Sequence, residues 1–500
     1  MNKKKIAISM IIILLLTGII EAATPEKTFI GDTISYINGR LGIGTTTPTS
    51  GLDVQTNMTI DGLLNLNNVV YVDSKKGFEN GIIEAHNTCG DGYCKIIFSG
   101  NNYTLDTNIN LRSNTDYEGS GSKIIVNTDL RVFRCLADTI LNDVSISGFN
   151  FIDSDINTQR TQSFIHLTNC NITNVEIKNN HFINRSATSI LFGHSTAPIK
   201  SVSNVNIHNN VFLGIRTGLG YEGDLLRFTD NFLDATGSVG VSAEREGLDY
   251  NRVSNYPYGV GTGFISNNIF INFTEQGIDA NVPNVIISGN YIKMKPDGAT
   301  TTGINSYANY NGIVTGNTIE MSTESTDKGI KALNSNDAEH KDKGQIITGN
   351  RIIGSGAGQG IQILGNNILV SNNYLQNTSI GIDIQANNTN VNGNHFSYVT
   401  TNINDSGLNN GYYLEENILG RVSIYQNNPD YGLYIESNDA TLPILRLRSS
   451  VGGSHIVMNP HSSAPATCIE GEVYVDTSGA FCYCYTANTW DKLGTQGTCA

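Results

Sequence analysis

One six-residue phrase recurs nine times between residues 177 and 396: apolar, any, Asn or Gly (once Asp), Asn, any, apolar. It first reads Ile177-Lys-Asn-Asn-His-Phe182 and last reads Val391-Asn-Gly-Asn-His-Phe396. The fixed asparagines are Asn180, Asn210, Asn231, Asn268, Asn290, Asn317, Asn350, Asn373 and Asn394, separated by 30, 21, 37, 22, 27, 33, 23 and 21 residues. A second phrase, Gly-Ile at Gly277, Gly303, Gly329, Gly360 and Gly381, precedes the next fixed Asn by 13, 14, 21, 13 and 13 residues. Each repeat therefore holds at least two short strands in constant phase, divided by turn-forming residues.

Short strands at such a period suit a solenoid, in which each coil pairs its strands with those of the coils about 4.8 Å above and below. Equal phases then stack. Ile177, Ile207, Phe228, Ile265, Ile287, Val314, Ile347, Val370 and Val391 are expected to form one inward column. Phe182, Phe212, Leu233, Phe270, Ile292, Ile319, Ile352, Leu375 and Phe396 are expected to form another. At about 2 kcal/mol per buried side chain, the two columns are a major stabilising term. The asparagines fit a corner, where Asn tolerates left-handed backbone angles and its amide can bond to the next coil. Nine such coils make a rod about 43 Å long.

Composition points the same way. The 500 residues include 63 Asn and 52 Gly, which form turns readily and helices poorly, so a mostly helical chain is excluded. Charged residues are only 15%, and the net charge of −14 argues against nucleic acid as the main partner.

The repeat pattern resembles the right-handed parallel β-helix of the pectin-lyase-like superfamily. The handedness is implied by that resemblance. Upstream, Val69-Val-Tyr-Val-Asp73, Lys95-Ile-Ile-Phe98, Tyr103-Thr-Leu105 and Gly119 to Ile125 look like opening turns, with a short helix expected to cap the first coil. Val144 to Phe151 reads as a further repeat, out of register by one residue. The expected organisation is a signal peptide (1–23), a fibre-like segment (24–66), the β-helix (67–415) and a β-rich C-terminal region (416–500). The fold class is all-β, a β-helical solenoid with small β-rich terminal modules.

Lys3-Lys4-Lys5 followed by the apolar run Ile6 to Ile20 and Glu21-Ala22-Ala23 reads as a secretory signal peptide. Membrane attachment is expected only if that segment stays uncleaved as an anchor. Export gives the eight cysteines a meaning, because an even count in an oxidising compartment suggests bridges. Cys89 with Cys94 can close a small loop, Cys135 and Cys170 lie 35 residues apart, and Cys468, Cys482, Cys484 and Cys499 sit together in the tail. Their connectivity is left open, and no Cys/His knuckle for zinc is present. Leu41 to Pro48 with Leu52-Asp-Val54 resembles segments of phage-type tail fibres, which implies a homotrimer by analogy. Gly420 to Met458 alternates like antiparallel strands, and Gly471 to Trp490 resembles small modules that end fibre proteins.

Several members of the superfamily cleave acidic polysaccharides. The polygalacturonase-like residue set is absent apart from an isolated Asn127-Thr-Asp129, and so are the pectate-lyase-like Trp-x-Asp-His and Arg-x-Pro-x-x-Arg segments. Inserted residues point to a site instead. The spacing swells to 28 between Gly240 and Asn268, to 21 between Gly329 and Asn350, and to 17 between Gly214 and Asn231. Insertions at one phase stack on one face and can wall a groove. They supply catalytic candidates Glu244, Glu246, Asp249 and Asp224, and ligand-binding candidates Tyr221, Tyr250, Arg252, Tyr256 and Tyr258. Tyrosines stack on sugars, while carboxylates bind hydroxyls or act as acid and base. No motif supports a metal, calcium or another cofactor.

The leading expectation is an exported, surface-associated, adhesin-like protein whose partner is a polysaccharide or glycan. A polysaccharide lyase or glycoside hydrolase acting on acidic polysaccharide is the alternative, and a purely structural surface component the third.

Overall fold

The structure, a computed structural model, describes residues 68–413 with short breaks, and isolated strands within 29–66 and 473–492. The expected signal peptide and the alternating stretch 420–458 lie outside the described residues. The chain between 68 and 413 winds as a right-handed parallel β-helix. Three sheets of 15, 12 and 12 strands run its length, and successive strands visit the first, second and third sheet in turn. Pairing is parallel throughout, except where Leu63–Leu66 pairs antiparallel with Val69–Val72 at the start.

Both inward columns form as the phrase predicts. Ile177 pairs with Ile207, Ile207 with Phe228, and the series runs on to Val391 on the first sheet. The second column runs from Phe182 to Phe396 on the second sheet. Every member is buried. The Gly-Ile phrase belongs to the third sheet, whose own column runs from Ile165 to Ile403. Val144 to Phe151 is in register: Ile146 pairs with Ile177 and Phe151 with Phe182, so Phe149 occupies the Asn position.

The corner between the first and second sheets divides two tasks between two residues. The left-handed backbone expected of the fixed Asn belongs to the residue before it, with φ of 54–65° at Asn179, Asn209, Asp230, Asn267, Gly289, Gly316, Gly349, Asn372 and Gly393. The fixed Asn itself is buried and builds a ladder. Asn180 Nδ2 donates to Ile146 O at 2.9 Å and to Asn210 Oδ1 at 3.1 Å, and Asn180 N donates to the same oxygen at 3.0 Å. The pattern repeats up to Asn394. Each bond is sheltered from water, so leaving one partner unpaired costs more than the bond contributes.

A helix (Phe78–Cys89) caps the first coil, as the resemblance implies. Its Phe78 ring lies 4.7 Å from Phe98 and 5.4 Å from Tyr103, closing the apolar end of the stack. Disulfides join Cys89 to Cys94 and Cys135 to Cys170. Near the N-terminus, short strands within Phe29–Val54 form a four-stranded sheet. Residues 433–500 form a separate unit holding a three-stranded antiparallel sheet in which Cys482 is buried and disulfide-bonded.

Candidate functional site: the outer face of the third sheet

Chain lengths between strands select one face of the rod. In ten consecutive coils the first and second sheets are joined by two residues only. The long connections all border the third sheet. Residues 154–164, 235–245, 295–301 and 321–327 lead into it from the second sheet, and 194–201, 252–262 and 334–345 lead out of it to the first. The strand Glu246–Asn251 has an eleven-residue connection on each side. The outer face of the third sheet is thus a floor bordered by long connections, at both edges rather than one.

Along that floor one outer column reads Gly220, Asp249, Asp279, Asn305, Lys331, Gln362, Asp383, Asn404. Each member directly follows a residue of the buried Ile165-to-Ile403 column and so faces the other way, because side chains alternate between faces along a strand. Asp249 and Asp279 are direct partners on neighbouring strands, so their backbones lie about 4.8 Å apart. Glu246 pairs with Gln276 on the same two strands, and Glu275 precedes the second of them. Asn305 Nδ2 donates to Asp279 Oδ1 at 3.0 Å. Burial, reinforced by the charges of Asp249 and Glu275, pushes the Asp279 carboxyl up to about 7, against the opposing pull of Asn305 and Lys331. Asp383 differs: its buried carboxylate accepts from Gln359, Gln385 and Asn404 at 3.1, 2.8 and 2.7 Å and is fully occupied by amides.

A buried ionic knot fixes one connection at the edge of this floor. Asp153 receives Arg160 through two bonds of 2.9 Å and Arg185 through one of 2.9 Å. Arg185 also donates to the backbone oxygens of Gln162 and Leu130 at 2.8 and 2.7 Å and lies over the Phe164 ring. Asp153, Arg160 and Gln162 are thereby tied through Arg185 to the coil that follows.

The structure sorts the residues expected from sequence. Glu246 and Asp249 stand on the floor, beside Asp279 and Glu275, which sequence reasoning missed. Tyr221 and Tyr250 do not face outward, contrary to the sugar-stacking expectation: they are 1% and 0% exposed, with ring centroids 5.1 Å apart. Their hydroxyls donate to backbone oxygens of Asp224 and Thr262 at 2.7 and 2.8 Å. Asp224 is a corner residue, accepting from Thr262 N and Oγ1 at 3.0 Å each. These three hold the end of the 252–262 connection in place. The supposed insertion between Gly214 and Asn231 is not one. Gly218, rather than Gly214, holds the repeat phase, and Gly218 to Asn231 is the ordinary 13 residues. Likewise Gly247 replaces Gly240 in phase. Glu244, Arg252, Tyr256 and Tyr258 lie outside the described residues. Among the described residues, no group of three or more His, Cys, Asp or Glu side chains is arranged to hold a metal ion.

No protein-family model matches the chain, and no curated protein matches its sequence. Solved structures do resemble it. PfbA, a surface protein and adhesin of Streptococcus pneumoniae, has 15% identity over 69% of this chain and 95% of its own, with a TM-score of 0.47. The catalytic domain of a GH87 α-1,3-glucanase in complex with nigerose has 13% identity over 74% of this chain and 71% of its own, with a TM-score of 0.40. The Dettilon tailspike protein has 12% identity over 73% of this chain and 69% of its own, with a TM-score of 0.34. Function must come from the site itself.

Proposed function

We propose that this is an exported, surface-associated β-helix protein that binds a carbohydrate polymer laid along the third sheet. The observation that carries this reading is the coincidence of two features on one face: every long connection borders it, and Asp249, Asp279, Asn305 and Lys331 form a row of carboxylate, amide and amine groups on it. Groups repeating at about 4.8 Å suit a ligand that is itself extended and rich in hydroxyls. Two disulfides within the coil support an oxidising, extracellular setting. The test is binding of the purified chain to a panel of neutral and acidic polysaccharides. At least one is expected to bind, with affinity falling about 5- to 30-fold in Asn305→Ala, the loss of one or two hydrogen bonds. Absence of binding across the panel, or binding indifferent to floor substitutions, removes the reading.

A second reading, cleavage of the bound polymer, is favoured by one observation: Asp249 and Asp279 are neighbours, and one of them holds its proton to about pH 7. Glycoside hydrolysis uses a pair of carboxyls, one of them kept protonated as the acid; Asp279 would be that acid and Asp249 its partner. New reducing ends that disappear in Asp279→Asn would establish it. Binding without product in the wild type leaves the adhesin-like role.

A further inference from the structure

The outer face of the first sheet changes character along the rod. In its N-terminal coils charged groups stand among the outward positions: Lys95 pairs with Glu118 at 2.7 Å, His208 with Glu176 at 3.1 Å, and Arg227 is the last of them. From the strand Gly263–Ser266 to the strand Leu369–Ser371 the charges stop. One outward column there reads Phe264, Ile286, Ile313, Ile346, Leu369. The column beside it reads Ser266, Ser288, Thr315, Thr348, Ser371. Phe264 and Ile346 are 42% and 39% exposed. The hydroxyl column borders the two-residue corner, where the chain passes directly to the second sheet.

We infer that this face docks a second copy of the same chain, as an antiparallel twofold pair. Charge argues first for that occupant. Two bodies that each carry −14 repel wherever their acids face one another, and these ten positions let like chains meet without burying a charge. Symmetry argues next. A twofold axis lying in the face and across the rod places each column on its own copy, aliphatic on aliphatic and hydroxyl on hydroxyl. A hydroxyl both donates and accepts, so the second contact is self-complementary as well. Both columns climb by the same rise per coil, so five coils meet in register with the strand Ile313–Thr315 at the centre. An aliphatic row left in water is the kind of patch that association removes. The third sheet stays open, so pairing doubles the ligand-binding faces without covering them.

Sedimentation equilibrium of the full chain at micromolar concentration is the direct test. A dimer is expected, and Ile313→Glu with Ile346→Glu is expected to be a monomer, since it sets four acids into the contact: two that face each other at position 313, and one against each Ile286. Both changes face outward, so an unchanged far-UV circular dichroism spectrum with a cooperative unfolding transition is the sign that the variant is folded, while its midpoint should fall by the lost association. A monomeric or trimeric wild type overturns the proposal; a monomer is also what a face built for a carbohydrate would give. A folded variant that remains dimeric overturns it equally. Should the double variant fail to fold, Thr315→Cys decides: mild oxidation gives a covalent dimer if the central coils face one another, and its absence overturns the pairing.

Discussion

The side-chain nitrogen of Asn317 donates to the side-chain oxygen of Asn350 and to the backbone oxygen of Ile287, each at 2.9 Å, so one amide ties three successive coils. Its own oxygen accepts from Asn290 N and Nδ2 at 3.0 and 2.9 Å. Asn317→Ala removes the set and leaves buried partners unpaired, at a cost of about 2–4 kcal/mol. Asn317→Asp keeps the acceptor, loses the donors and buries a charge against another oxygen, so it should destabilise more at neutral pH. Urea unfolding of the two variants tests both the size and the order.

Gly277 is a glycine because of the next coil. A Cβ there would stand 2.6 Å from Ile292 Cγ2 and 2.7 Å from Gly303 O. The same relation holds for Gly303 with Ile319, Gly329 with Ile352 and Gly360 with Leu375. Gly277→Ala should cost about 1–3 kcal/mol by overpacking. Ile292→Ala, which removes the Cγ2 that the new methyl meets, should cost less in the Gly277→Ala background than in the wild type. Thermal unfolding of the single and double variants measures the coupling.

The same glycines show what could be read in advance. Two columns, Ile177 to Val391 and Phe182 to Phe396, were legible because burial tolerates only apolar residues there, at fixed spacing from an invariant Asn. Glu246 and Asp249 were legible because an insertion drew attention to them. Asp279 was not, since its partner Asp249 lies thirty residues away and becomes a neighbour only when coils stack. A signal existed: Gly247-Leu-Asp249, Gly277-Ile-Asp279 and Gly303-Ile-Asn305 share one phase, and the third member of each faces the floor. Tyr221 and Tyr250 misled because a Tyr can bury its ring while its hydroxyl finds a backbone oxygen.

Asp153 holds two arginines, and the asymmetry of that knot can be measured. Arg185→Met removes one guanidinium but leaves Asp153 paired with Arg160 at 2.9 Å. Asp153→Asn removes the charge shared by two guanidiniums, one fully buried and the other nearly so, and leaves them only the more distant Asp129 and Asp155 at 3.8 and 3.7 Å. The second should cost about 3–5 kcal/mol and exceed the first. Limited proteolysis between residues 154 and 164 should accelerate in Asp153→Asn before global unfolding is seen, because the knot pins that connection.

Asp279 makes the pH dependence of this chain specific. Its ordinary value is 3.8, and burial beside Asp249 and Glu275 raises it to about 7 in the folded state. The folded form then binds the proton more tightly than the unfolded form. Stability from this site is fully present below about pH 4 and is lost as pH rises through about 7. Asp279→Asn removes the titration, so the variant should gain on the wild type steadily across that window. Melting midpoints of both proteins from pH 4 to 8 give the comparison, and a constant difference would mean that Asp279 titrates like an exposed acid. Asp249→Asn should lower the Asp279 value and shrink the slope, because the Asp249 charge is one of the causes that raise it. If the chain cleaves its ligand, the same group sets the alkaline limb of the rate profile. Activity then falls above about pH 7 as the acid loses its proton, whereas binding alone has no such requirement.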